Sequence, residues 1–160
     1  MQDELRDLYQ EVILDHGKHP RNLRHPADAN RMAEGHNPMC GDQLTVFLKV
    51  SADGTVEDAA FEGQGCAISV ASASMMTEIL KGKSAAQAHA LFSVLHSICT
   101  GEEDGHDHSR HNLLAGLDDE MDRLVILAGV REFPVRVKCA TLAWHTMVAA
   151  IDGQEAATTE

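Results

Sequence analysis

Three cysteines and one aspartate carry the most distinctive chemistry of this 160-residue chain. Cys40 and Asp42 share the stretch Asn37-Pro38-Met39-Cys40-Gly41-Asp42, a tight turn just ahead of an alternating strand pattern. Cys66 follows Gly63-Gln64-Gly65 and opens a run of small helix-forming residues, while Cys139 lies in the first turns of the last long helical pattern. Three thiolates and one carboxylate are the four ligands that a tetrahedral Zn²⁺ takes. The carboxylate is the least natural partner among soft sulfur ligands, so Asp42 is expected to be the easiest to displace. Four anions leave such a centre near −2 formally, and Arg136 and Lys138 stand close enough in sequence to Cys139 to offset part of that. The cysteines lack paired C-x-x-C spacing, so spacing by itself leaves two readings open: one metal site, or three unrelated core cysteines.

The elements that must position these residues can be read in chain order. Leu5, Leu8, Tyr9, Val12 and Ile13 recur at helical spacing over residues 3–16, and the amphipathic helix they define ends near Gly17. A polar, proline-marked loop then leads into a strand at residues 31–37. Leu44, Val46, Leu48 and Val50 alternate with Thr45, Phe47 and Lys49, which predicts a strand with one buried face. Asp53-Gly54 signals a hairpin, with the returning strand at 55–62. Residues 67–80 predict a closely packed helix, Ser84 caps the next one, Asp118 caps another, and Pro134 opens the last. Strands first and helices afterwards indicate an α+β domain, a small three-stranded antiparallel sheet with helices packed on one face. The expected organisation is a single domain over 1–153 with an insertion around 100–117 and a flexible tail at 154–160.

Composition narrows the partners. With 25 acidic against 13 basic residues the formal net charge is −12, which repels nucleic acid phosphates and anionic membrane surfaces and favours a protein partner. The acidic start carries no signal or transit pattern, and no segment approaches the ~20 apolar residues of a membrane span. A cytoplasmic protein is therefore expected, in which cysteines serve as ligands, nucleophiles or core residues rather than disulfides.

Other reactive side chains have plainer readings. Cys99 lies in an apolar helical face and reads as a small hydrophobe. His106, His108 and His111 sit in an acidic stretch that reads as a solvated loop binding adventitious ions at most. His16 and His19 beside Arg21 could form a partner-binding knob.

At several stretches the sequence resembles the IscU/SufU (NifU N-terminal-like) family of iron–sulfur cluster assembly proteins, in its SufU-type branch. The matching segments are Leu8-Tyr9 through Asp15-His16 with Pro20-Arg21-Asn22, then Asn37 to Asp42, then Phe61 to Ser69 with Ala71 to Met76, and finally Phe133 to Leu142. The resemblance implies zinc bound by Cys40, Asp42, Cys66 and Cys139. It further implies a zinc-dependent sulfurtransferase that accepts persulfide sulfur from a pyridoxal-phosphate (PLP) cysteine desulfurase of SufS type and passes it toward a downstream cluster assembly complex. Scaffold members instead build a [2Fe–2S] cluster on the same cysteines. Lys138, where scaffold members typically carry histidine, and the insertion between Cys66 and Cys139 favour the sulfurtransferase branch. The Gly101–His111 segment is longer and richer in histidine than the usual SufU-type pattern.

The mechanism this implies starts with docking on the desulfurase, where a competing ligand, such as a partner histidine, displaces one site ligand and frees Cys40. The Cys40 thiolate then attacks the outer persulfide sulfur. Asp42 is expected to be the loose ligand, Cys66 and Cys139 the retained anchors, and Arg136 a residue that holds negative charge or steers the partner.

Overall fold

The computed structural model describes residues 2–39, 41–101 and 113–158 of the chain. Helix α1 (Gln2–Lys18) is followed by strands β1 (Arg31–Asn37), β2 (Asp42–Val50) and β3 (Val56–Gln64), then by helices α2 (Ala67–Leu80) and α3 (Ala85–Thr100). Helix α4 (Asp118–Ile126) runs into 3₁₀ turns at Leu127–Glu132 and Pro134–Arg136, and α5 (Val137–Ile151) leads to a short strand β4 (Ala156–Thr158). His106, His108, His111 and the rest of the insertion between 102 and 112 lie outside the described residues, as does Cys40.

The sheet has the order β3-β2-β1-β4. Its first three strands form the expected antiparallel meander, but the sheet has four strands and is mixed. Ala156 to Thr158 add to the edge in parallel with Glu34 to His36, in a stretch expected to be a loose tail. The Glu34 backbone N–H donates to the Glu155 carbonyl at 2.9 Å to fasten it. Three residues of Ala-Ala-Thr carry too little periodicity for a strand to be read from sequence.

One face of the sheet is buried. Ala33, Gly35 and Asn37 of β1 stand opposite Val46, Leu44 and Asp42 of β2, so the alternation that buries Leu44, Val46 and Leu48 also carries Asn37 and Asp42 under the helices. Helix α5 packs on β1 and β2, α2 packs on β3 and α5, and α1 covers α2. The approach of α5 is close: a Cβ at Gly35 would fall on the Thr146 hydroxyl, so only glycine fits there. Small residues let α2 come equally near, and Ser72 links the two helices by donating to the Ala140 carbonyl (2.6 Å) while accepting the Trp144 indole N–H (3.1 Å). Trp144 is fully buried, so its one donor needs that partner.

Local capping follows the sequence in one case and departs from it in another. Ser84 forms a capping box with Gln87 at the start of α3. The N-cap of α4 is Leu117 rather than Asp118, which instead joins Asp119 and Glu120 in the first turn, where acidic side chains complement the helix dipole. Cys99 belongs to the core at 1% exposure, and burial pushes its thiol pKa up to about 12, only partly opposed by Arg131. His16 turns inward instead of forming a knob: its Nδ1 lies 2.7 Å from Ser74 Oγ, which also accepts the Arg21 backbone N–H at 2.8 Å. Burial, reinforced by the Arg21 charge, lowers its pKa and keeps the ring neutral.

Candidate metal centre

Each ligand candidate is delivered by a different element. Asp42 opens β2 after a turn closed by the Gly41 N–H on the Asn37 carbonyl (2.9 Å), with Gly41 at φ 71°. Pro38 restricts Asn37 to extended backbone, which suits it to end β1. Because Gln43 pairs with Gln64, the end of β3 lies beside the start of β2, and the chain that leaves β3 passes Asp42 before entering α2. Cys66 is the N-cap of α2 and is half-buried. Cys139 is the third residue of α5 and fully buried.

The structure brings Asp42, Cys66 and Cys139 together: one carboxylate oxygen and the two Sγ atoms all lie within 4.8 Å of one another. A single ion bonded at about 2.0–2.3 Å to each ligand closes such a gap. Two sulfurs at helix N-termini, where partial positive charge favours the anion, and a strand carboxylate that accepts the Cys66 N–H are a donor set suited to Zn²⁺. The residues present therefore fit the metal.

Asp42 is anchored at both oxygens. It is 0% exposed; Oδ1 accepts the Cys66 backbone N–H at 2.9 Å and Oδ2 accepts the Asn37 side-chain amide at 3.2 Å. Burial by itself would raise its pKa, but the Cys66 N–H, helped by Ser69, Cys139 and Asn37, outweighs burial and holds the carboxyl below its usual range. The Cys66 thiol is pulled well below the ordinary cysteine range, chiefly by its bond with Cys139 and then by Ser69, against the opposing effects of burial and the Asp42 charge. Ser69 Oγ lies 3.6 Å from Cys66 Sγ.

Asp42 was expected to be the loose ligand, yet both of its oxygens are engaged inside the fold. Softness ranks the ligands by intrinsic affinity, but it ignores the donors that hold a carboxylate in place. Gly65 makes the same point sterically: a Cβ there would stand 2.7 Å from Asp42 Oδ1. Gly65→Ala is accordingly expected to destabilise the protein by about 1–3 kcal/mol and to lower metal affinity. Chemical denaturation and metal titration of the variant measure both.

Arg136 stands at the N-cap of α5, partly exposed, with its N–H on the Phe133 carbonyl at 2.7 Å. Lys138 reaches across to the turn, its Nζ 3.9 Å from Met39 Sδ. Asn37 and Ser69 are the residues that sequence reasoning passed over. Both lie inside the matched motifs, and a buried amide or hydroxyl beside three ligands was the available signal.

The model of the NifU-like N terminal domain family matches residues 8–115. The chain is 38% identical over 153 residues, 94% of each chain, to a Bacillus subtilis (strain 168) protein named zinc-dependent sulfurtransferase SufU. It is 37% identical over 148 residues, 92% of this chain and 85% of the relative, to an iron–sulfur cluster assembly scaffold protein IscU of Streptococcus pyogenes serotype M1. A crystal structure from Fervidobacterium islandicum AW-1, described as an iron–sulfur cluster assembly scaffold for the SUF system, superposes with a TM-score of 0.73 at 31% identity, covering 88% of this chain and 94% of that one. The clustered Asp42, Cys66 and Cys139, the sheet that carries them and these similarities along the chain make it a member of the NifU-like N-terminal domain family, the IscU/SufU group of iron–sulfur cluster assembly proteins.

Proposed function

We propose that the chain is a zinc-dependent sulfurtransferase, with Cys40, Asp42, Cys66 and Cys139 as zinc ligands and Cys40 as the sulfur acceptor. The observation that carries the metal reading is the convergence of Asp42, Cys66 and Cys139 from three separate elements within 4.8 Å. The relative named a zinc-dependent sulfurtransferase supports the choice of metal and activity, as does Lys138 in the position before Cys139. The sulfur donor is a PLP-dependent cysteine desulfurase of SufS type, and the product is handed to a downstream cluster assembly complex. Such thiol chemistry belongs in a reducing compartment, the cytoplasm.

Zinc, when bound, keeps its cysteine ligands as thiolates at neutral pH and masks them from adventitious oxidants. The protein's own residues do the rest. Asp42, held at both oxygens, and the buried Cys139 keep their places, while the turn bearing Cys40 meets the partner. The Cys40 thiolate attacks the outer sulfur of the desulfurase persulfide; the S–S bond breaks, the desulfurase cysteine leaves as a thiolate, and Cys40 becomes the persulfide. Arg136, one turn before Cys139, is assigned to balancing the charge of the centre and steering the partner. Met39 (67% exposed) and Val135 (65%) present apolar surface in the two segments that flank the centre, a surface suited to a protein partner.

A second reading has its own support. Relatives of comparable identity are named scaffolds, and the same cysteines could hold a [2Fe–2S] cluster in assembly. Metal analysis of the purified protein followed by anaerobic reconstitution separates the two. Tight stoichiometric zinc that resists replacement by a cluster is the expected result, and a stable stoichiometric cluster by absorbance would establish the scaffold instead.

A further inference from the structure

Asn37 ends β1 with no solvent exposure, and its side chain touches two of the ligands at once. One Nδ2 donates to Asp42 Oδ2 at 3.2 Å and to Cys139 Sγ at 3.6 Å. A carboxamide nitrogen carries two hydrogens, so both bonds are made together. Oδ1 has no partner among the described residues. The reverse orientation would set that oxygen against the Asp42 carboxylate and exchange a charge-assisted hydrogen bond for repulsion. The amide therefore points its donors at the centre, even though its own acceptor goes unsatisfied at a buried position, which is costly.

The backbone does not require this side chain. Asn37 pairs with Asp42 across the strands through main-chain geometry, and Gly41 closes the turn on the Asn37 carbonyl. What the amide adds is a fixed angle for the carboxylate and a hydrogen bond to the Cys139 sulfur, the kind of support that outer partners give to metal ligands. It donates to both Asp42 and Cys139, which belong to strand and helix respectively.

We infer that Asn37 is a positioning residue that sets how firmly the Asp42 and Cys139 side of the centre retains its metal. This rests on the zinc reading above. Because both Asp42 oxygens are held by protein donors, the carboxylate keeps its place when another ligand exchanges.

The test uses the full-length, zinc-loaded protein with Asn37→Ala and the nearly isosteric Asn37→Leu. Zinc release to an excess of a chromogenic chelator is timed, and the visible ligand-field spectrum of the Co²⁺-substituted protein is recorded. Release about 10- to 100-fold faster than wild type in both variants, with an altered Co²⁺ spectrum, is the expected result. Should Asn37→Ala fail to fold, Asn37→Leu, which leaves no cavity, decides. A merely structural role would lower the unfolding midpoint of the metal-free protein while leaving release rate and Co²⁺ spectrum at wild-type values, and that outcome overturns the inference. Wild-type protein that takes up no zinc would defeat the zinc reading itself, whereas wild type that holds zinc beside unchanged variants would defeat only the role of Asn37.

Discussion

Cys139→Ala is expected to yield a folded protein without stoichiometric zinc and with a melting temperature roughly 10 °C below that of the loaded wild type. The reasoning runs through linkage. An ion that binds the folded chain alone, at a free concentration a thousand times its Kd, adds about 4 kcal/mol of stability, and for a chain of this size each kcal/mol is worth about 2–4 °C. Cys139 is fully buried in the first turn of α5, against Asn37 and within reach of Asp42 and Cys66, so no other side chain among the described residues stands in its place. Cys66→Ala should behave alike. Two controls separate metal loss from packing loss. Chelator-treated wild type should melt close to Cys139→Ala, and Cys99→Ala, whose thiol lies in the core, should keep its zinc. Unchanged zinc content in Cys139→Ala would sink the four-ligand centre.

Cys40→Ala is expected to remove stimulation of the desulfurase completely, leaving only the rate of the desulfurase alone, while the far-UV circular dichroism stays that of the wild type. Sulfur transfer by thiol exchange depends on thiolate fraction and on access to the attacked sulfur. Among the other cysteines, Cys139 and Cys99 are buried and Cys66 is engaged with Ser69 at the start of α2. Cys40 lies in the sequence between Met39 and Gly41, both exposed, and is the thiol proposed to meet the partner. Labelled sulfur should appear on wild type and on Cys99→Ala but not on Cys40→Ala. A Cys40→Ala variant that still accepted label and stimulated turnover would move the acceptor to another thiol. If label were lost along with all zinc, as in Cys139→Ala, the chelated wild type would show whether the metal or the nucleophile is at fault.

Much of the architecture was legible in the residue pattern because the signals are local. The alternation of Leu44, Val46 and Leu48, the Asp53-Gly54 turn and the Ser84 cap each depend on a few neighbouring residues, and each is present in the fold. The fourth strand was not legible, since β4 is held by its edge pairing with Glu34 to His36 and by little within its own three residues. The first turn of α4 shows a smaller displacement of the same kind, with Asp118 just inside the helix rather than capping it.

By itself the sequence determined the chemistry available at the centre: which side chains are soft or hard ligands, and that glycine-containing turns and helix starts surround them. The tertiary structure decided which of these side chains meet. Pairing of Gln43 with Gln64 brings the start of α2 to Asp42, and the packing of α5 on β1 brings Cys139 to both. These are contacts between residues far apart in the chain, and no local periodicity encodes them. The same contacts hold Asp42, the ligand expected to be displaced most easily, at both oxygens, because the Asn37 amide and the Cys66 N–H reach it only in the folded chain.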